Sequence, residues 1–274
     1  MWRADYNVLT VYSMPTLLSA RNPLLKDVRK AIARGTVTED GLAVAESFHL
    51  LEEALRSDCE LPAVFAAESV RAAVESHVRG LKKTRIHVIP DDVFRGLSST
   101  ESSQGVLALV RPPQWSVDQL FRGHSLTMVL DGLQDPGNAG AILRAAEAFG
   151  ATGVAFLKGT ASPYNPKCLR ASAGSIFRVP VVAALDQQIF LAAAEQRKVA
   201  LFALMPRGAA EVGEAELGKK CAIIVGSEGR GVSERLRERA VPIRIPTVGV
   251  ESLNAALAAG IALFVARKQR MAAV

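Results

Sequence analysis

The 274-residue chain is 49% hydrophobic and 22% charged, with a mean hydropathy of +0.19, a composition that buries a core and excludes disorder for most of its length. Lys and Arg outnumber Asp and Glu by 33 to 27, a net charge of +6 that favours a polyanionic partner. Residues 1–114 hold 14 basic and 14 acidic side chains, so residues 115–274, with 19 against 13, carry the whole excess.

Residues 1–18 read as a leader: Met1 to Ser13 mixes Arg3, Asp5 and Asn7 with aromatics and lacks a signal peptide's apolar segment, which excludes secretion and leaves Met14 as an alternative start. The first domain spans 19–111. Pro23 opens a helix with Leu24, Leu25, Val28, Ala31 and Ile32 at helical spacing. Its other face carries Lys26, Arg29, Lys30 and Arg34, either a solvated face or a polyanion contact. An amphipathic helix at Phe48–Leu55, a strand at Pro62–Ala66, a helix at Glu68–Val78 and strands at Ile86–Ile89 and Gly105–Val110 follow. This alternation predicts a small α/β/α layered domain. A second basic cluster lies at Arg79, Lys82, Lys83 and Arg85.

Arg111-Pro112-Pro113-Gln114-Trp115 cannot continue a helix or join a sheet, so 112–124 reads as a linker and 125–274 as a second domain. There the pattern predicts strands at Ser125–Leu130, Gly153–Leu157, Val179–Ala183, Val199–Leu204, Cys221–Val225 and Ile243–Ile245. It places helices at Asn138–Phe149, Gln187–Arg197, Val232–Arg239 and Glu251–Lys268. Apolar strands separated by helices predict a parallel sheet covered on both faces, an α/β fold. The longest apolar run, Ala255–Ala266, has 12 residues, short of the roughly 18 a membrane span needs, and reads as a buried helix; no membrane partner is expected.

Ligands of open parallel sheets bind beyond the carboxyl ends of the strands, which directs attention to the loops after Leu130, Leu204, Val225 and Ile245. Asp131 to Gly140 contains glycines for close backbone approach, and Asn138 reads as a cap for the next helix. Gly226-Ser227-Glu228-Gly229-Arg230-Gly231 is a glycine-rich turn with one carboxylate. Neither loop matches G-x-G-x-x-G and no Gly-Lys-Ser/Thr follows, which argues against a dinucleotide or nucleoside triphosphate site. His49, His77, His87 and His124 make no metal-ligand spacing. Cys59, Cys168 and Cys221 are an odd number at wide spacing, which suggests neither disulfides nor zinc; they point to a reducing, cytoplasmic setting, with Cys168 inert.

Three spaced segments resemble the motifs of the SpoU (TrmH-like) branch of the SPOUT superfamily of RNA 2'-O-ribose methyltransferases. They are Asn138-x-Gly140-x-x-x-Arg144-x-x-x-x-Phe149-Gly150, Gly226-Ser227-Glu228-Gly229, and Ile245-Pro246 followed by Ser252-Leu253-Asn254. Ser162-Pro163-x-Asn165-Pro166-Lys167 and Arg170-Ala171-Ser172-Ala173-Gly174 are also similar to the family. Arg21-Asn22-Pro23, Leu51-Glu52-Glu53-Ala54-Leu55 and Gln104-Gly105-Val106 resemble its N-terminal substrate-binding domain, which shares its fold with kink-turn-binding ribosomal proteins.

The resemblance implies S-adenosylmethionine bound by a deep trefoil knot in the C-terminal domain, no metal, and an active site completed across a homodimer. It implies a cofactor pocket bordered by Leu204, Gly226, Ile245 and Leu253. Arg144 matches the catalytic arginine, with Asn138 and Glu228 orienting it and Ser252 and Asn254 supporting cofactor loop and substrate. A guanidinium is a poor proton acceptor, so clamping phosphate and stabilising developing alkoxide is the preferred role, with full deprotonation left open. Lys167 and Arg170, with Lys26, Arg29 and Lys30, are candidate RNA phosphate contacts. Thr247 stands where the family commonly has methionine, and Ala255-Ala256 where it has Val-Ser or Val-Ala. The small residues Ala258, Ala259, Gly260 and Ala262 read as a close-packing dimer face. The expected substrate is structured RNA, ribosomal rather than transfer RNA because a whole domain precedes the catalytic one; a catalytically silent RNA-binding protein is the other alternative.

Overall fold

The computed structural model describes residues 16–17, 22–100 and 102–272; apart from Thr16 and Leu17 the expected leader lies outside them, as does Arg21. In chain order the elements are β1 (Thr16–Leu17), α1 (Pro23–Arg34), β2 (Ala43–Glu46), α2 (Phe48–Arg56), β3 (Ala63–Ala67), α3 (Arg71–His77), β4 (Arg85–Ile89), α4 (Asp91–Arg95) and β5 (Val106–Val110). They continue with α5 (Val117–Leu120), β6 (Leu126–Asp131), α6 (Pro136–Ala148), β7 (Gly153–Leu157), α7 (Pro166–Ser172), β8 (Val181–Leu185), α8 (Gln187–Gln196), β9 (Ala200–Leu204) and β10 (Ala210–Glu211). The last are β11 (Cys221–Gly226), α9 (Glu234–Arg237), β12 (Val241–Arg244) and α10 (Ala255–Ala272).

The first five strands form a mixed sheet in the order β1-β4-β3-β5-β2, in which β5 runs antiparallel to its neighbours. The others form a seven-stranded sheet, β10-β12-β9-β11-β6-β7-β8, with every pairing parallel. The expected covering of both faces is present and follows from side-chain alternation. Met128, Leu130, Phe156 and Ile223 face α6 and α10, whereas Val129, Ala155 and Ile224 face Leu120 of α5 and Phe190 of α8.

Several expected boundaries move for local reasons. Asp135 accepts from the Gly137 N–H at 2.8 Å and Pro136 occupies the first turn, so α6 begins before Asn138 and Asp135 is its cap. The last helix begins at Ala255 because Asn254 accepts from the Ala256 and Leu257 N–H groups at 2.9 and 3.2 Å; Glu251 to Leu253 remain loop. The expected helix at 232–239 shrinks to α9, and the strand at 179–183 shifts to β8. The expected linker carries α5, whose Leu120 is fully buried. Short β2, α4 and α7 were not foreseen. In the last helix Ala259 and Ala262 are buried in this chain's own core, so of the four small residues expected at a dimer face only Ala258 and Gly260 stay partly accessible; Leu257, Phe264 and Met271 are the exposed large apolar side chains there.

The two sheets do not stand apart. One apolar core runs from Ala43, Leu50 and Val106 to Leu169, Ile176 and Phe177. At the seam Gly35 lies so close to α7 that a Cβ would sit 2.5 Å from Asn165 Nδ2, and a Cβ on Gly174, at φ +88°, would meet Glu53 Cβ at 2.5 Å. Glu46, 4% exposed, accepts from Ser98, Ser99 and Thr100, with Arg170 at 3.5 Å. Arg178 reaches Glu53 at 2.6 Å and Glu147 at 2.5 Å.

Candidate active site

Strands β6 and β11 lie side by side, with Gly226 paired to Asp131, yet their chains leave in opposite directions: β6 leads to β7, and β11 leads past β9 to β12. Adjacent strand ends whose loops diverge open a crevice, and the three motifs meet there. Glycine is required at 226, because a Cβ would stand 2.0 Å from the Gly231 carbonyl carbon. The loop folds back on itself through Ser227 and Gly231, each N–H donating to the other's carbonyl at 3.2 and 2.8 Å. Gly140 serves packing: a Cβ would lie 2.3 Å from the Cys168 carbonyl oxygen, so α6 and α7 cross closely there.

Asn138 is the junction. Its Nδ2 donates to Glu228 Oε1 at 2.8 Å, and its Oδ1 accepts from Asn254 Nδ2 at 3.1 Å. Asn254 Oδ1 is committed to the first N–H groups of α10. Since a backbone N–H can only donate, the orientation of each amide along this relay is determined, and it ends on the one group that can only accept, the Glu228 carboxylate. Ser252, exposed beside the cavity, is not the helix cap.

The crevice opens into a cavity of about 610 Å³ lined by Leu204, Gly226, Glu228, Ile245, Leu253 and Asn254, among others. All four residues expected to border a cofactor pocket are there. Thr247 also lines it, and its hydroxyl donates to the Val250 carbonyl at 2.9 Å, closing the turn before α10. Arg144 is exposed, does not line this cavity and has no hydrogen-bond or ion-pair partner among the described residues, so Asn138 and Glu228 make no bond that orients it.

The expected RNA contacts separate. Lys167 pairs with Asp135 at 2.8 Å and, together with the Gly137 N–H, holds that carboxyl below its ordinary range. Arg170 donates to Ser99 Oγ at 2.6 Å inside the seam, and Lys30 is bonded to Glu39 at 2.7 Å. Lys26 is exposed and Arg29 half-buried. Burial pushes the Cys168 thiol up to about 12, in keeping with an inert side chain. Among the described residues no group of three or more His, Cys, Asp or Glu could hold a metal ion, and no helix is long and apolar enough to cross a membrane.

Sequence reasoning missed Asp131 and Arg178. Asp131, 5% exposed at the end of β6, accepts from the Ser233 N–H at 2.7 Å and Gln187 Nε2 at 3.0 Å, which pins the far end of the Glu228 loop. A carboxylate ending an otherwise apolar strand was the available signal. Arg178 carries none, since its partners are remote in sequence.

Comparison with known proteins identifies the family. Residues 125–264 match the SpoU rRNA Methylase family and residues 22–108 the MRM3-like substrate binding domain. The 23S rRNA (guanosine(2553)-2'-O)-methyltransferase RlmP of Bacillus subtilis is 32% identical over 92% of this chain and 98% of its own. An uncharacterized tRNA/rRNA methyltransferase of Synechocystis is 31% identical over 94% and 95%. The crystal structure of an AdoMet-bound rRNA methyltransferase from Sinorhizobium meliloti superposes with a TM-score of 0.79 at 26% identity, covering 92% of this chain and 97% of that one. Matched over more than half its length by the family and over nearly all of it by such relatives, the chain belongs to the SpoU rRNA methylase family.

Proposed function

We propose that the protein transfers a methyl group from S-adenosylmethionine to a ribose 2'-hydroxyl of ribosomal RNA. The observation that carries this reading is the Asn254–Asn138–Glu228 relay, which gathers all three motifs at the mouth of one cavity. The cavity fits the cofactor: its volume suits a ligand of that size, and Leu204, Val225, Ile245 and Leu253 offer an apolar slot for adenine beside the backbone of Gly226. When bound, the sulfonium supplies an electrophilic methyl for in-line attack by the hydroxyl. Glu228, held by Asn138, places a carboxylate at the mouth; Asn254 holds the loop before α10.

Arg144 lies six residues beyond Asn138, about 240° around α6 and about 9 Å along it, hence on another face. This placement supports a homodimer in which Arg144 serves the partner's cavity, clamping the phosphate next to the target ribose and stabilising developing alkoxide. Exposed Leu257 and Phe264 on α10 supply apolar surface for such an interface. The return of α10 onto α6 after β12 has passed outside β9 supports the trefoil knot. In the N-terminal domain α2 and α3 pack on one face of the sheet and α1 and α4 on the other, a three-layer arrangement that supports a kink-turn-type RNA reader. Exposed Arg79, Lys82, Lys83 and Arg85, without ion-pair partners among the described residues, suit phosphate better than Lys30.

Calorimetric titration with S-adenosylmethionine, followed by transfer assays on 23S ribosomal RNA fragments and on transfer RNA, tests the reading. Saturable binding and methylation of a single ribosomal ribose are expected. No heat at millimolar cofactor would overturn the enzyme reading, and efficient methylation of transfer RNA alone would overturn the substrate.

A further inference from the structure

Helix α6 reaches the seam between the two domains three residues after Arg144. There Glu147 is gripped by Arg178, Nε donating to Oε1 at 2.5 Å and Nη2 to Oε2 at 3.1 Å. The remaining nitrogen, Nη1, donates to Glu53 Oε2 on α2 at 2.6 Å and to Ser57 Oγ at 3.3 Å. One guanidinium therefore holds the helix that carries Arg144 and the N-terminal domain together. The fork geometry is the one a lysine cannot reproduce. The bond to Arg178 keeps the Glu147 carboxyl below its ordinary range, with Ser175 assisting. At Glu53 burial pushes upward, but Arg178 and Arg56 outweigh it and the net direction is down.

The consequence concerns Arg144. Residues three apart on a helix are neighbours, and a glutamate at that spacing is a natural ion-pair partner for an arginine. Glu147 occupies that position relative to Arg144, yet its two carboxylate oxygens point to Arg178, and Arg144 is left without a partner among the described residues. Close packing of Gly174 on Glu53 sets where the Arg178 segment meets α2.

We propose that Arg178 is a positioning residue for Arg144: by holding Glu147 in the seam it keeps that carboxylate from neutralising Arg144, and its anchor on Glu53 makes this depend on docking of the N-terminal domain. The inference rests on the reading of Arg144 as the catalytic arginine.

Full-length variants assayed with labelled S-adenosylmethionine and a 23S RNA fragment test it, alongside calorimetric cofactor affinity. Arg178→Ala should lower kcat at least about tenfold with cofactor Kd changed by less than about twofold, whereas Glu147→Gln alone should stay within about threefold of the parent. The double variant Arg178→Ala/Glu147→Gln should recover to about the level of Glu147→Gln, a rescue that loss of a purely structural contact would not show. A double variant as inactive as Arg178→Ala, with Arg144→Ala inactive as well, overturns the inference and leaves the role of Arg144 standing. An active Arg144→Ala overturns the reading beneath it. If Arg178→Ala fails to fold, Arg178→Lys replaces it: a partial loss rescued by Glu147→Gln supports the inference, and a loss without rescue overturns it.

Discussion

Two polar clusters hold this molecule's distant segments together, and they are built on opposite plans. At the cavity mouth, two asparagines and one carboxylate join the first turn of α6, the start of α10 and the loop after β11 in a place open to solvent. At the domain seam, two glutamates with side chains 5% and 10% exposed meet Arg170 and Arg178. Charge is taken out of water only where every oxygen finds a donor, as it does around Glu46 and Glu53. Along the mouth, neutral amides carry the connection and its one charged end, Glu228, stays accessible; Arg144, on another face of α6, is exposed as well. The seam fixes geometry; the mouth keeps its chemistry available.

The contrast breaks most sharply at Arg144. Arg144→Ala should lower kcat by about 10²–10³, or roughly 3–4 kcal/mol, with cofactor affinity almost unchanged, as single-turnover transfer and calorimetry would read. The seam should respond in stability. Glu46→Ala strips acceptors from Ser98, Ser99, Thr100 and Arg170 at once, at a cost of about 2–3 kcal/mol measured by denaturant unfolding. A cost under about 0.5 kcal/mol would mean that the seam is not the buried device described above. Asn254→Ala should cost about 1 kcal/mol as a lost helix cap and should also weaken cofactor binding, because the same amide holds Asn138.

The smallest expected effect is a pH dependence confined to the seam. The carboxyls of Glu53 and Glu147 are both held below their ordinary value of 4.5, so their contribution is complete above that value and is lost as pH falls through the lower folded values. The melting temperature should therefore fall with acid below about pH 4.5, less steeply in Arg178→Ala. Identical slopes in the two proteins would assign the acid sensitivity elsewhere.

Legibility in the sequence follows the same division. Strands such as Leu126–Asp131 and Cys221–Gly226 are uninterrupted apolar runs, and burial on both faces makes such runs readable. Strand β2 ends in Glu46, and at four residues with a charge it shows no run to read. The cavity-lining residues Gly226, Ile245 and Leu253 and the members of the relay were legible through the resemblance to family motifs, and Leu204 as the strand end that the resemblance set beside them. The partners of Lys167 and Arg170 were not. Both cations stand in a family-like stretch that suggested phosphate, and only the folded chain brings Asp135, Ser99 and Glu46 to them. The start of α6 was misplaced because Asp135 and Asn138 are both good caps by type, and Pro136 settles the choice.

The relay through Asn138 has a direction, and direction has a cost for anything that disturbs it. Turning either amide by itself would face N–H against N–H on one side and oxygen against oxygen on the other, so neither asparagine can flip alone. The loop at Glu228, the first turns of α6 and the start of α10 thus behave as one latch with a single bolt. The backbone hydrogens of Ala256 and Leu257, shielded by Asn254 Oδ1, are its natural reporters, and their exchange with deuterated solvent reads at one end of the latch what happens at the other.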